Sequence, residues 1–133
     1  MAALREALAT NLSSLPNVQV SAYLLANPTP PSIHVVPGMT EYHQTFGGNT
    51  AEWWEFSVQA FVAAVQDIGA QRRLDEMLDD SGASSVKVAI ESDTTLGGAC
   101  DDLIVLRRTG YQIYTPDGRG AVLGAEWTVR VLI

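Results

Sequence analysis

Cysteine is nearly absent from this chain. Cys100 is the only one among 133 residues, so no disulfide can close within one copy. One thiol and two histidines, His34 and His43, exclude a cysteine-rich zinc site. The His-x-His and His-x-x-x-His spacings of metal pairs are missing too. Lysine is just as scarce: Lys87 stands alone, and the other basic residues are scattered arginines. Eight basic residues face fifteen acidic ones, for a net charge of −7. Duplex binding draws most of its affinity from phosphate neutralisation by a basic patch, so tight nucleic-acid binding by a single copy is not expected. No apolar run approaches the roughly 20 residues that span a bilayer; the longest is Ala60 to Val65. The opening MAALREALATNLSSLP has neither the basic start nor the long apolar stretch of a signal peptide, and is expected to belong to the mature protein. Glycine-rich GGNT and LGG lack the Lys-Ser/Thr ending or the G-x-G-x-x-G spacing of phosphate loops.

What is present describes a single domain over residues 1–133, with 47% hydrophobic residues and enough chain for a core without staples. Leu4, Leu8, Leu12 and Leu15 fall on one face of a helix over residues 2–15, stopped by Pro16-Asn17. Val18 and Val20 predict a short strand. Three prolines in NPTPPS then enforce extended chain. IHVV predicts a second short strand, ended by Pro37-Gly38. Residues 38–50, GMTEYHQTFGGNT, carry no helical period and predict a projecting loop. Residues 52–65 alternate, with Trp54, Phe56, Val58, Ala60 and Val62 on the apolar side of a strand. A helix follows over 67–80, with Ile68, Leu74, Met77 and Leu78 on one face and Asp67 as a possible cap. Ser81-Gly82 breaks it. Ser84 or Ser85 starts a short helix running to about Ser92, and DTTLGG ends that one. Two long strands, 101–114 and 121–133, flank Thr115-Pro-Asp-Gly-Arg-Gly120, whose turn chemistry predicts a hairpin. Leu123, Ala125, Trp127, Val129 and Val131 make the core face of the last strand. Gly124, Glu126, Thr128 and Arg130 make its wet or partner-facing side. The order α-β-β-β-α-α-β-β predicts an α+β fold: a mainly antiparallel sheet, with a mixed one possible, and helices packed on one face.

Nothing in this pattern assembles a reaction centre. Cys100 lies beside Asp101-Asp102, whose charge raises a thiol pKa rather than activating it. The doublets Asp79-Asp80 and Asp101-Asp102 diverge on helix or strand, so neither converges on one atom; solvated ends are the plain reading. His34 sits in an apolar strand as a structural residue, and His43 in the loop as a surface contact. Of Trp53-Trp54, only Trp54 matches the buried set, which leaves Trp53 for peripheral packing or a partner. No catalytic residue, metal or cofactor is expected.

The stretch from Leu78 to Val105, LDDSGASSVKVAIESDTTLGGACDDLIV, resembles the signature region of siphophage tail terminator proteins, a group that also takes in neck and tail-completion proteins of tailed bacteriophages. The likeness extends to LPNVQV, PPSIHVVP, the YHQTFG loop and VLGAEW. It implies a structural virion protein at the head–tail junction, assembled in the host cytoplasm. Such a subunit forms a ring, hexameric in that family, that ends tail-tube polymerisation and docks the head connector. The implied partners are other copies of the chain, the tail tube protein and a head-completion protein. DNA passes through the lumen without specific binding, and no membrane is involved.

A ring needs two different patches that close by rotation. Tyr42, His43, Phe46, Trp53, Arg107, Arg108 and Arg119 are the candidate contact residues, and Asp79, Asp80, Asp101 and Asp102 the candidate acids of a lumen or surface. Negative lining would discourage DNA from sticking. Two alternatives stand beside this reading: another head–tail connector or head-completion protein, and a small α+β enzyme or ligand-binding domain.

Overall fold

Leucine at four-residue intervals buries one helical stripe, and the computed structural model, which describes residues 2–16, 18–23, 31–41, 52–64, 68–114 and 122–133, forms α1 there (Ala2–Leu12). Leu4, Leu8, Leu12 and Leu15 are all buried. Next come β1 (Gln19–Ser21), β2 (Ser32–Glu41), β3 (Trp53–Ala64), α2 (Ile68–Leu78), α3 (Val86–Ile90), a 3-10 turn (Leu96–Gly98), β4 (Asp102–Tyr114) and β5 (Val122–Leu132). The five strands form one sheet in the order β1-β2-β3-β5-β4. β1 runs parallel to β2, and the other three pairings are antiparallel. The fold is therefore α+β with a mixed sheet. Among the described residues, no helix is long and apolar enough to cross a membrane.

Alternation decides which sheet face is covered. Phe56, Val58, Ala60 and Val62 on β3 stand opposite Val129, Trp127, Ala125 and Leu123 on β5, and all eight are buried. Ile33 and Val35 of β2 join them, and the helices supply Leu4, Leu8, Leu12, Leu74, Met77, Val86 and Ile90 to the same cluster. The other face carries a polar chain. Ser57 Oγ and Gln59 Nε2 both donate to Glu126 Oε2, at 3.1 and 3.2 Å. With the Gln59 amide nitrogen so used, its oxygen accepts from His34 Nε2–H at 2.7 Å. His34 is buried with its ring edge against Phe61.

Two expectations need correction. β2 does not end at Pro37-Gly38. The ladder with β3 shifts between Pro37 and Thr40 and then resumes at Thr40↔Trp54 and Glu41↔Trp53. A bulge absorbs the proline's missing donor. A Cβ on Gly38 would sit 2.9 Å from the Glu55 carbonyl oxygen, so close backbone approach selects glycine. The loop expected at 38–50 thus begins as strand, and residues 42–50 lie outside those described. Ile68 does not join the buried face of α2. It is 70% exposed, while Ala70, Leu74 and Met77 fill that face. The cap expected at Asp67 also lies outside the described residues.

The punctuated segment after α2 is held by side chains. Gly82 takes φ 102°, which an L side chain rarely adopts, and releases the chain from α2. Ser85 caps α3: its Oγ accepts from Val88 N and donates to the Asp79 carbonyl. At the far end, Asn11 Nδ2 of α1 donates to the carbonyls of Ile90 and Asp93, at 3.0 and 3.1 Å. Asp93 then accepts from Thr95 N, Thr95 Oγ1 and Gly97 N. Leu96 holds a left-handed φ of 49° because its side chain is buried.

Truncating Leu8, which is fully buried, to alanine is expected to lower the unfolding free energy by about 2–5 kcal/mol in urea titration. The Thr95 hydroxyl, then the Thr95 and Gly97 amides, hold the Asp93 carboxyl below the ordinary aspartate value. A depressed folded pKa contributes stability above the unfolded value, lost as pH falls below about 4 and through the folded one. Asp93→Asn should therefore flatten the acid limb of stability against pH; an unchanged slope would remove this role from Asp93.

Candidate interaction surface

Among the described residues, sheet order leaves β4 without a strand partner along one side, because β5 occupies the other. At 13 residues it is a long free edge, whereas β1, the opposite edge, has three. Exposed apolar side chains mark it: Ile104 is 50% exposed, Leu106 39% and Ile113 56%. A long apolar edge is a template for another strand unless it is guarded. Two carboxylates guard the first half here. Leu103 N–H donates to its neighbour Asp102 Oδ1 at 2.9 Å. Val105 N–H donates to Glu91 Oε2 at 3.2 Å. Glu91 is held in turn by Lys87, one turn earlier on α3, at 2.8 Å. That hydrogen bond, with the charge beside it, raises the Lys87 ammonium above the ordinary lysine value.

Beside this edge, β4 and the ends of α2 and α3 enclose an open cleft of about 250 Å³. Leu78, Val105, Leu106 and Trp127 make its apolar wall, and Asp80, Lys87, Arg107 and Arg108 supply the charge. Arg107 and Arg108 are both exposed. Three cations against one acid make the cleft locally basic in a chain of net charge −7.

The candidate residues do not gather at one place. Arg107, Arg108 and Asp80 meet at the cleft, so Asp80 faces cations rather than adding to an acidic wall. Asp79 is exposed near the end of α2, and Asp101 and Asp102 are exposed where β4 starts. Trp53 is half-buried on the polar sheet face, with the Arg130 guanidinium 5.5 Å from its ring centroid. Arg130 also lies 3.7 Å from Glu55. Tyr42, His43, Phe46 and Arg119 fall outside the described residues. Lys87, Glu91 and Leu106 escaped the sequence reading as site residues, and Trp127 was read there only as core. Only the i,i+4 spacing of Lys87 and Glu91 hinted at that pair, and nothing local places α3 against β4.

Cys100 is buried, with its thiol 3.5 Å from the Thr94 carbonyl. Burial first, then the charges of Asp101, Asp102 and Asp93, push its pKa up. Compared with known proteins, the chain matches no family model and no curated protein. A raised, covered thiol should react with an aromatic disulfide reagent at pH 8 at least about tenfold more slowly folded than in urea. Equal rates would contradict its burial.

Proposed function

We propose that the chain is a structural, non-enzymatic subunit of the head–tail junction of a tailed phage, where it caps the tail tube and ends its polymerisation. In this reading several copies, six by family resemblance, form a ring. One face meets the tube protein and the other a head-completion protein, and DNA crosses the lumen without specific contacts. The observation that carries the reading is the pair of unlike sheet edges: a long, partly apolar β4 with exposed arginines, and a three-residue β1. Different edges on one subunit are what a head-to-tail ring requires, since identical patches would pair off instead. The sequence likeness over Leu78–Val105 supports the same assignment, and its Ser-Gly and Leu-Gly-Gly turns orient α3 beside the β4 edge. A net charge of −7 per copy suits a channel through which phosphates slide rather than bind. Asp79, Asp101 and Asp102 are the exposed acids that could serve it.

Removing the coding sequence from the parent phage is expected to yield overlong tails in electron micrographs. Normal tails that fail to join heads would move the chain to a neck or head-completion role. Unchanged particles would overturn both.

A further inference from the structure

The chain's own carboxylates cover only the first half of the β4 edge. Asp102 takes the Leu103 amide, and Glu91 takes the Val105 amide. Beyond Val105 the strand turns basic, with Arg107 and Arg108 in succession. Neighbours on a regular strand point to opposite faces. Here the ladder shifts between Val105 and Arg107, a device that re-aims side chains, and both arginines line the one cleft.

The cations of that cleft are not equivalent. Lys87 is held by Glu91 at 2.8 Å, and the charge of Asp80 also acts on it. Its charge is therefore met from within the chain. Arg107 and Arg108 are exposed, and neither makes a hydrogen bond or ion pair among the described residues. Each guanidinium presents a planar fork that matches a carboxylate.

Apolar surface lies beside them. Leu106 is 39% exposed, and Leu78 is half-buried. Apolar surface rimmed by charge is the make-up of a protein contact. At about 250 Å³ the cleft is smaller than the roughly 300–1,000 Å³ of small-molecule sites. It suits one or two side chains of a larger partner. Nucleic acid fits it poorly. Trp127, the aromatic residue of the lining, is 2% exposed and offers no face to stack on a base. A net charge of −7 repels a polyanion or a second copy along its length, whereas a short acidic segment meets mainly the local field of the arginines.

We propose that the cleft between β4 and the ends of α2 and α3 docks a short acidic segment of another protein, in which a bulky apolar side chain is flanked by carboxylates. The apolar side chain packs on Leu78 and Leu106, and the carboxylates pair with Arg107 and Arg108. Asp80 opposes the segment as a like charge and so limits its affinity. The docking site does not require the ring.

The test is fluorescence anisotropy on the purified full chain, with labelled peptides that carry one leucine or phenylalanine between two pairs of glutamates. Saturable binding is expected, weakened by added salt. R107E/R108E should weaken it at least about tenfold, and D80N should tighten it. Replacing the glutamates by glutamines, or the apolar residue by glycine, should each weaken it about tenfold. Both arginines are exposed, so the far-UV spectrum of R107E/R108E should match that of the wild type. R107K/R108K, which keeps the charge and loses the fork, should bind with intermediate affinity. Absence of saturable binding by every one of these peptides at millimolar concentration overturns the proposal. So does binding that the neutral peptide matches or that R107E/R108E leaves unchanged. A single-stranded oligonucleotide or inorganic tripolyphosphate that displaces the label as well as unlabelled acidic peptide does would also overturn it. Self-association of the chain that R107E/R108E abolishes would make a second copy the occupant, and would overturn it too. None of these outcomes bears on tail length, so the ring reading stands or falls separately.

Discussion

The central antiparallel pairing of β3 with β5 is the constraint that sets everything else. It runs from Trp53↔Leu132 to Ala64↔Val122, and alternation along it buries one side chain in two on each strand. A one-residue slip would turn that whole set toward the polar face. The facing rows Phe56, Val58, Ala60, Val62 and Val129, Trp127, Ala125, Leu123 form the floor on which α1 buries its leucines, α2 Leu74 and Met77, and α3 Val86 and Ile90. With β3 and β5 locked together, β2 takes the free side of β3 and β4 the free side of β5. That leaves β4 at the rim of the sheet.

A rim strand of 13 residues with exposed isoleucines is a hazard that folds usually blunt. Here α3 lies alongside, and Glu91 satisfies an outward amide at the strand's apolar middle. The precision of α3's position therefore matters more than its five-residue length suggests. Ser85 caps its start and Asn11 of α1 ties off its end. The glycine-punctuated segment around it works as a bracket that places a Lys87–Glu91 pair against an edge. Surface ion pairs contribute little to stability on their own, so the weight of this pair lies in what it covers.

Much of this was legible from local pattern. Leucine spacing gives α1, and period two gives β3 and β5 with the correct inward faces. Turn residues bound α3 to within a residue or two. Legibility failed where a neighbour overrode the local signal. Pro37-Gly38 reads as a stop, yet a bulge against Glu55 carries β2 onward. Ile68 reads as core, yet Ala70, Leu74 and Met77 leave no place for it. Asp80 reads as one of a free acidic pair, yet it shares a cleft with three cations.

By itself, then, the sequence determined the element types, the inward residues of β3 and β5 and the acidic balance, since all of these follow from residue identity and short-range periodicity. Only the tertiary structure decided that β4 lies at the rim of the sheet, that Arg107 and Arg108 share a cleft with Asp80 and Lys87, and that Glu91 stands over Val105. Those features arise from pairings between strands and helices far apart in the chain. Which partner a residue meets across such a distance is settled by how the whole core closes, and no window of a few residues carries that information.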